Sequence, residues 1–496
     1  MIRTDILIIG GGFSGVIMAL EARRHGFEDI VILEKASDLG GTWRENAYPG
    51  VACDIPCHLY TLADHPKPNW RRRYAAGVDI WDYLREVARS EHLYPVARFE
   101  RKFTGAAWDA ETRLWRVETA EGKVFQSRVL VSAMGPLHQP RIPDLPGLDT
   151  FKGTCFHSAE WDPETQISSR DVAVIGTGAS AAQLVPHVAR DAARLTVYQR
   201  TAPWVLPLFN GAIPRWLRRL YGRWPWLMRL DRALTFWLQE MTHRVFRGDP
   251  TAVSLARRIA RRHMRCGLRD PALQKRLTPD YQIGCKRILL SNDWYPALKR
   301  SNVEVVTGPI KSVEADKIIG TDGIARPVEV LILATGFDAT GALAHLPFQG
   351  RDGLKLSDHW SERPSAYLGA AAAGFPNLFF VLGPNTALGH NSILLMAEAQ
   401  AEHVVRVLAT MRDRQIDVVE PKPERQKAHD DMVQGRLAKT VWQTGGCTSW
   451  YKDADGRNPI IWPGTVREFR RLTEQSGLQD YRTVPRLGPR PGADAA

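Results

Sequence analysis

The chain has 496 residues, of which 44% are hydrophobic and 24% charged, and it carries a formal net charge of +12. That length exceeds what one core supports and predicts two or three domains, while the composition is that of an ordinary globular protein. No apolar stretch approaches the ~20 residues needed to span a bilayer, and strand-like sequence starts directly after Met1, so a cytoplasmic location without a signal peptide is the expectation.

The first apolar run, Asp5 to Ile9, leads into Gly10-Gly11-Gly12-Phe13-Ser14-Gly15. A helical segment from Val16 to His25 follows, then a strand from Ile30 to Leu33 that ends at Glu34. These are the parts of a βαβ dinucleotide unit. The glycines allow a tight turn, a close backbone approach to pyrophosphate and close packing of helix on strand. The helix start offers free N–H groups and a positive dipole end to phosphates. Glu34 stands 19 residues beyond Gly15, close to the ~20-residue offset of an acid that binds a ribose hydroxyl. Cys53 and Cys57 follow with three residues between them, a spacing that fits neither a CxxC redox pair nor the disulfide reductases, and they read as buried thiols. Six cysteines in a chain of this size do not make a disulfide scaffold.

Two apolar segments echo each other, Val129 to Gly135 and Val330 to Gly336. Pro136 and the stretch Pro140 to Pro146 read as linker. The segment FKGTCFHSAEWD, Phe151 to Asp162, then precedes a second glycine loop, Gly176-Thr177-Gly178-Ala179-Ser180-Ala181. That loop follows the strand Val172 to Ile175, and a helix runs on to about Arg190. The next strand, Leu195 to Tyr198, ends in Gln199 and Arg200. A carboxylate there would repel the 2′-phosphate of NADP, whereas a guanidinium binds it through paired hydrogen bonds. The first unit therefore suits FAD and the second NADPH.

Residues 205 to 280 fit neither βαβ frame. They have helical spacing and hold 16 Lys+Arg against 5 Asp+Glu, nearly the whole charge surplus of the chain. The expectation is a helical insertion serving as a lid or packing subdomain with a basic face, able to make weak contact with an anionic membrane surface. No nucleic-acid motif accompanies the charge, so no nucleic-acid partner is expected. Further on, Gly374 to Asn385 reads as a buried strand with a loop aimed at the flavin, and Ser392 to Thr410 as a helix. The predicted fold is α/β, with two Rossmann-like dinucleotide-binding domains and a helical insertion. The FAD-binding domain is discontinuous, 1–145 and 340–482, around an NADPH-binding domain at 146–339, and 483–496 form a disordered tail. No metal site is expected, and the oligomeric state is not legible.

The spacing FxGxxxHxxxWD between the two loops resembles the fingerprint of the Type I Baeyer–Villiger monooxygenases, class B flavoenzymes that insert oxygen beside a carbonyl. Phe151, Gly153, His157, Trp161 and Asp162 carry it, and Trp161-Asp162 separates it from the related N- and S-oxygenases. Phe151 and Trp161 would anchor a linker between domains. The resemblance extends to Gly40-Gly41-Thr42-Trp43, Tyr48-Pro-Gly50, Cys53-Asp54-Ile55, Gly284-Cys-Lys-Arg287 and Gly446-Cys-Thr-Ser-Trp-Tyr451. It implies that Arg287 lies over the flavin with Asp54 as its partner. Lys286 would join Arg200 and Thr201 at the 2′-phosphate, with Trp450 on the nicotinamide side. Lys35, Gly41, Thr42, Trp43 and Tyr60 complete the expected FAD contacts.

The activity so implied is an NADPH- and O₂-dependent conversion of ketones to esters or lactones through a C4a-peroxyflavin. A peroxide that attacks a carbonyl must stay deprotonated, and the permanent charge of an arginine beside it serves that need. The alternative is oxygenation of sulfur or nitrogen in sulfides or amines. The ketone class is not legible, since pocket walls come from loops whose side chains cannot be placed from one sequence.

Overall fold

The computed structural model describes residues 2–486 apart from Glu362 and Ala454. β1 (Ile2–Ile9), α1 (Phe13–Arg24) and β2 (Ile30–Leu33) form the first βαβ unit, with β1 and β2 parallel in the register Ile6 to Ile30 through Ile9 to Leu33. Ile6 to Ile9 and Ile30 to Leu33 are all buried, the continuous apolar runs of strands covered on both faces. β3 (Val124–Ser132) lies on the other side of β1 and is also parallel to it. Its first half pairs antiparallel with Leu114–Thr119, and its second half runs parallel to the strand Leu378–Phe380, which arrives from far along the chain. Apart from Leu378–Phe380, which pairs with β3 alone among the strands, the order is Phe348–Gln349, Phe103–Asp109, Leu114–Thr119, β3, β1, β2, Ala97–Arg98.

The second sheet is wholly parallel and contains β4 (Thr154–His157), β5 (Asp171–Ile175), β6 (Arg194–Tyr198), β7 (Val303–Val306) and β8 (Val330–Leu333) in the order β7-β6-β5-β8-β4. α2 (Ala179–Asp191) connects β5 to β6. Between β6 and β7 stand α3 (Arg215–Arg223), α4 (Pro225–Phe246), α5 (Pro250–Gly267) and the short helix Pro271–Arg276, the helical insertion anticipated at 205–280. α6 (Ile393–Asp413) packs on α1 and on α7 (Val466–Gln475).

Two expectations change. The fingerprint segment is not a linker: Thr154 to His157 form the edge strand of the second sheet, Leu333 pairing with His157. The expected tail begins too early, because Thr483 to Pro485 belong to a strand, Tyr481–Pro485, paired antiparallel with Ile416–Pro421. The remainder of the tail, 487–496, lies outside the described residues. Among the described residues no helix is long and apolar enough to cross a membrane.

Candidate active site

Gly10 has φ +109° and Gly176 φ +116°, conformations that L side chains rarely adopt. A Cβ on Gly10 would meet the carbonyl oxygen of Ala133, and one on Gly176 that of Ala334. Each loop is thus seated on one of the two echoing segments. Gly15 touches the Gly10 carbonyl, where no methyl group would fit. The residues capping α1 and α2 are Gly12 and Gly178, neither of which has a side chain to satisfy the first N–H groups. Two uncapped helix starts behind glycine loops have the donor chemistry for pyrophosphate.

At the first loop Glu34 is buried, and its carboxylate accepts hydrogen bonds from the N–H groups of Gly11 (2.8 Å) and Ala36 (3.0 Å). Gly41, at φ +53°, lies against Gly12. Thr42 and Trp43 start the short helix Thr42–Glu45, and the Trp43 indole N–H donates to the Tyr60 hydroxyl at 3.0 Å. The Phe13 ring stands edge-on to Tyr60 and is buried in the core, so only its backbone can serve a ligand. Ser14 is buried at the helix start. Lys35 is half exposed and pairs with Glu45 at 2.8 Å.

At the second loop the Thr177 hydroxyl donates to the carbonyl of Thr201 at 2.9 Å, fixing the segment that follows β6 to the loop. Ala181 is buried in the core with only its backbone available, and Ser180 lies beside the Tyr48 hydroxyl. Lys286 lies over the ring of Tyr281 and is held below its ordinary pKa by burial and then by the charge of Arg200. Two cations brought together from strand end and loop are the arrangement an anion relieves.

The sequence separation between Asp54 and Arg287 closes to an ion pair. Asp54 Oδ2 accepts from Arg287 Nε at 2.8 Å and from Nη2 at 2.5 Å. About a third of each side chain stays accessible, 35% for Arg287 and 28% for Asp54. Asp54 and then neighbouring Tyr451 hold Arg287 above its already high pKa, so its charge is permanent. Tyr451, which the reading above left without a role, is buried with its hydroxyl within reach of Arg287. Tyr60 and the buried thiol of Cys53 also feel this pair, and burial pushes both groups up in pKa. Cys57 is pushed to about 12, mainly by burial. Neither thiol is set up as a redox nucleophile.

Two features fix this centre that the sequence did not announce. Cys285 and Cys447 form a disulfide, with Cα atoms 6.1 Å apart across 162 residues of sequence. The Gln282 N–H also donates to the Gly445 carbonyl at 2.9 Å, so the loop bearing Lys286 and Arg287 is fastened to the loop bearing Trp450 and Tyr451. Trp450 is partly exposed and lies against Tyr451, the two rings tilted by 43° with centroids 4.3 Å apart. On the opposite side the Tyr48 hydroxyl donates to Gln183 at 2.9 Å, and Gln183 donates to the Ala52 carbonyl at 2.9 Å. A Cβ on Gly50 would collide with His187 of α2. The loop carrying Asp54 therefore rests directly on the helix of the second nucleotide unit. No spacing rule finds Gln183 or His187, because their role comes from tertiary contact alone.

The fingerprint residues are placed less centrally. A Cβ on Gly153 would strike the Glu329 carbonyl, so this glycine is a packing requirement. Phe151 is half-buried against the second sheet, and Trp161 stands edge-on to Phe156 at 5.2 Å. His157 is buried, accepts from the Ala159 N–H at 3.1 Å and lies 5.7 Å from the Phe337 ring. Burial, partly offset by the Gly336 backbone beside the ring, holds His157 below its ordinary pKa. Asp162 closes a local turn by accepting from the Glu164 N–H at 2.9 Å.

Residues 7–207, spanning both glycine loops, match the family model described as pyridine nucleotide-disulphide oxidoreductase. A Baeyer-Villiger monooxygenase of Streptomyces coelicolor is 42% identical over 99% of this chain and 95% of its own length. Among solved structures, cyclohexanone monooxygenase from Rhodococcus sp. Phi1 bound to NADP+ superimposes with a TM-score of 0.87 at 26% identity, covering 98% of this chain and 99% of that one. OTEMO in complex with FAD and NADP gives 0.86 at 27% identity, over 97% and 99%. Two nucleotide loops converging on a clamped arginine, and likeness over nearly the whole length, lead to one family: the chain belongs to the Baeyer–Villiger monooxygenases.

Proposed function

We propose that this protein is an FAD-containing, NADPH- and O₂-dependent monooxygenase that converts ketones to esters or lactones. The Arg287–Asp54 ion pair, held where the two nucleotide units meet, carries the reading. FAD would be held by the loop Gly10 to Gly15, the start of α1 and Glu34, with Gly41, Thr42, Trp43 and Tyr60 around it. NADPH would be held by the loop Gly176 to Ala181, with Arg200, Thr201 and Lys286 at its 2′-phosphate. When bound, the reduced flavin supplies activated oxygen at the expense of NADPH. Arg287 contributes a fixed positive charge that no working pH removes, and it stabilises negative charge growing on the carbonyl oxygen of the substrate. Asp54 orients the guanidinium. Tyr451 and Trp450 close the site, and the fastened loops keep water out. His157 positions the strand next to the second loop and is not a general base.

The sheet memberships support a discontinuous FAD-binding domain, 1–145 with 340–482, around an NADPH-binding domain at 146–339. The partners are a small ketone, O₂ and, through α3 to α5, an anionic surface. A cytoplasmic location belongs to this reading, and there thiol reductants would oppose the Cys285–Cys447 bond. The test is direct: FAD-loaded protein should consume NADPH faster when a ketone is added and release ester or lactone. Hydrogen peroxide as the sole product across linear, cyclic, aromatic and steroid ketones would reject it.

A further inference from the structure

α4 is amphipathic the wrong way round. Its outward positions Trp226, Leu230, Leu234, Trp237, Leu238 and Met241 fall at i, i+4, i+8, i+11, i+12 and i+15, one continuous stripe. Each is 51% to 63% exposed. The inward face carries the polar groups instead. Asp231 bonds His58 at 2.8 Å, Arg232 donates to the carbonyls of His58 and Thr61, Glu240 accepts from Asn391 at 2.8 Å, and His243 bonds the Pro463 carbonyl at 3.0 Å. Burying tryptophan and leucine contributes favourable free energy, so a helix that spends its polar residues inside and leaves these outside lacks an apolar neighbour. At the corner before it, Trp216 of α3 and Trp224 are also exposed.

The charge around the stripe has one sign. Residues 215–267 hold 13 arginines and 3 acids. All three acids are engaged: Asp231 with His58, Glu240 with Asn391, and Asp249 with Arg244 and the start of α5. The exposed arginines 215, 219, 223 and 229 have no ion-pair partner among the described residues. An isologous dimer would set this face against itself, arginine on arginine, with no carboxylate to answer. Tryptophan and leucine flanked by arginine suit the boundary between anionic headgroups and acyl chains, where the indoles sit at headgroup depth.

We propose that the α3–α4 face is a membrane-docking surface that seats the enzyme on an anionic bilayer, lying in the interface without spanning it. This rests on the anionic-surface contact in the proposed function and names its partner, while the ketone chemistry stands or falls by product release alone. Attachment brings the enzyme to a phase in which apolar ketones concentrate.

The experiment uses the full-length, FAD-loaded protein. It should sediment with mixed phosphatidylglycerol–phosphatidylcholine vesicles and not with phosphatidylcholine alone, and the binding should weaken as salt is raised. The double substitution Arg219→Gln/Arg223→Gln should lower partitioning roughly 25-fold, at about five-fold per arginine. Trp226→Ser/Trp237→Ser should remove the blue shift of tryptophan emission on vesicle addition. These side chains are exposed, so FAD content, circular dichroism and NADPH oxidation should be unchanged in both variants. Equal binding to neutral and anionic vesicles, or no binding, overturns the proposal. So does a concentration-dependent dimer in ultracentrifugation that Leu234→Glu abolishes, which would give the stripe to a second copy.

Discussion

Replacing Asp54 with Asn isolates what the carboxylate does for Arg287. The side chain keeps its size and one accepting oxygen but loses its charge. With contacts of 2.5 and 2.8 Å the two charges sit close together. At a charge separation of ~4 Å and an effective dielectric of ~20, their attraction is about 4 kcal/mol. About a third of each side chain is open to solvent, and screening there leaves about 2 kcal/mol. Part of that holds the guanidinium in place, so ester formation should fall about ten- to thirty-fold. Arg287→Ala removes the charge itself and should cost about 10²–10³. If Asp54 acts only through Arg287, adding Asp54→Asn to the Arg287→Ala background should cost almost nothing more. Initial rates of ester release by gas chromatography measure each corner of the cycle. Anaerobic bleaching of the flavin by NADPH, followed by stopped flow, should be nearly the same in all four proteins. Additive losses would refute the positioning role, and a matching loss of flavin reduction would refute the assignment of Arg287 to the oxygen-transfer half of the cycle.

Other outcomes follow from the same contacts. Arg200→Gln should raise the KM for NADPH about ten- to a hundred-fold and leave that for NADH nearly unchanged, because it removes a charge-assisted contact to the 2′-phosphate; equal effects on both coenzymes would place Arg200 elsewhere. Denatured protein should show four titratable thiols before reduction and six after it. Cys447→Ser should lower unfolding stability by about 3 kcal/mol and raise the fraction of NADPH lost to hydrogen peroxide, as the Arg287 loop loosens; unchanged stability and coupling would count against the fastening. Burial pulls His243, His403 and His429 from the ordinary 6.5 down to about 4. The unfolded chain therefore binds protons that the folded one refuses: stability is intact above pH 6.5 and falls towards pH 4. The loss is about 2 kcal/mol per histidine at pH 5, and urea midpoints that do not move between pH 7 and pH 5 would refute it.

Both βαβ units were legible because their parts are local: an apolar β-branched run, glycines at fixed offsets and a charged residue at the second strand end. The structure seats both loops on the echoing segments, which share that local grammar. The helical insertion was visible from its period and charge. The centre itself was less so. Asp54 and Arg287 lie 233 residues apart, and family likeness rather than spacing brought them together. Tyr451, Gln183, His187 and the Cys285–Cys447 bond come from long-range packing, which leaves no periodic trace. The fingerprint read as a linker because it stands between the two glycine loops, with Phe151 and Trp161 as aromatic anchors. Pairing to Leu333 makes it a strand, a contact that only the finished sheet supplies.

The fastening of residues 282 and 285 to 445 and 447 also bears on engineering. Recombination schemes cut a chain where few contacts cross, and by sequence these two stretches fall in different blocks. Exchanged singly with a relative that lacks the matching cysteine, either would arrive with a mismatched half: an unpaired thiol, and an arginine whose bed belongs to another protein. Libraries aimed at new ketones should carry 281–287 and 441–451 as one inherited cassette.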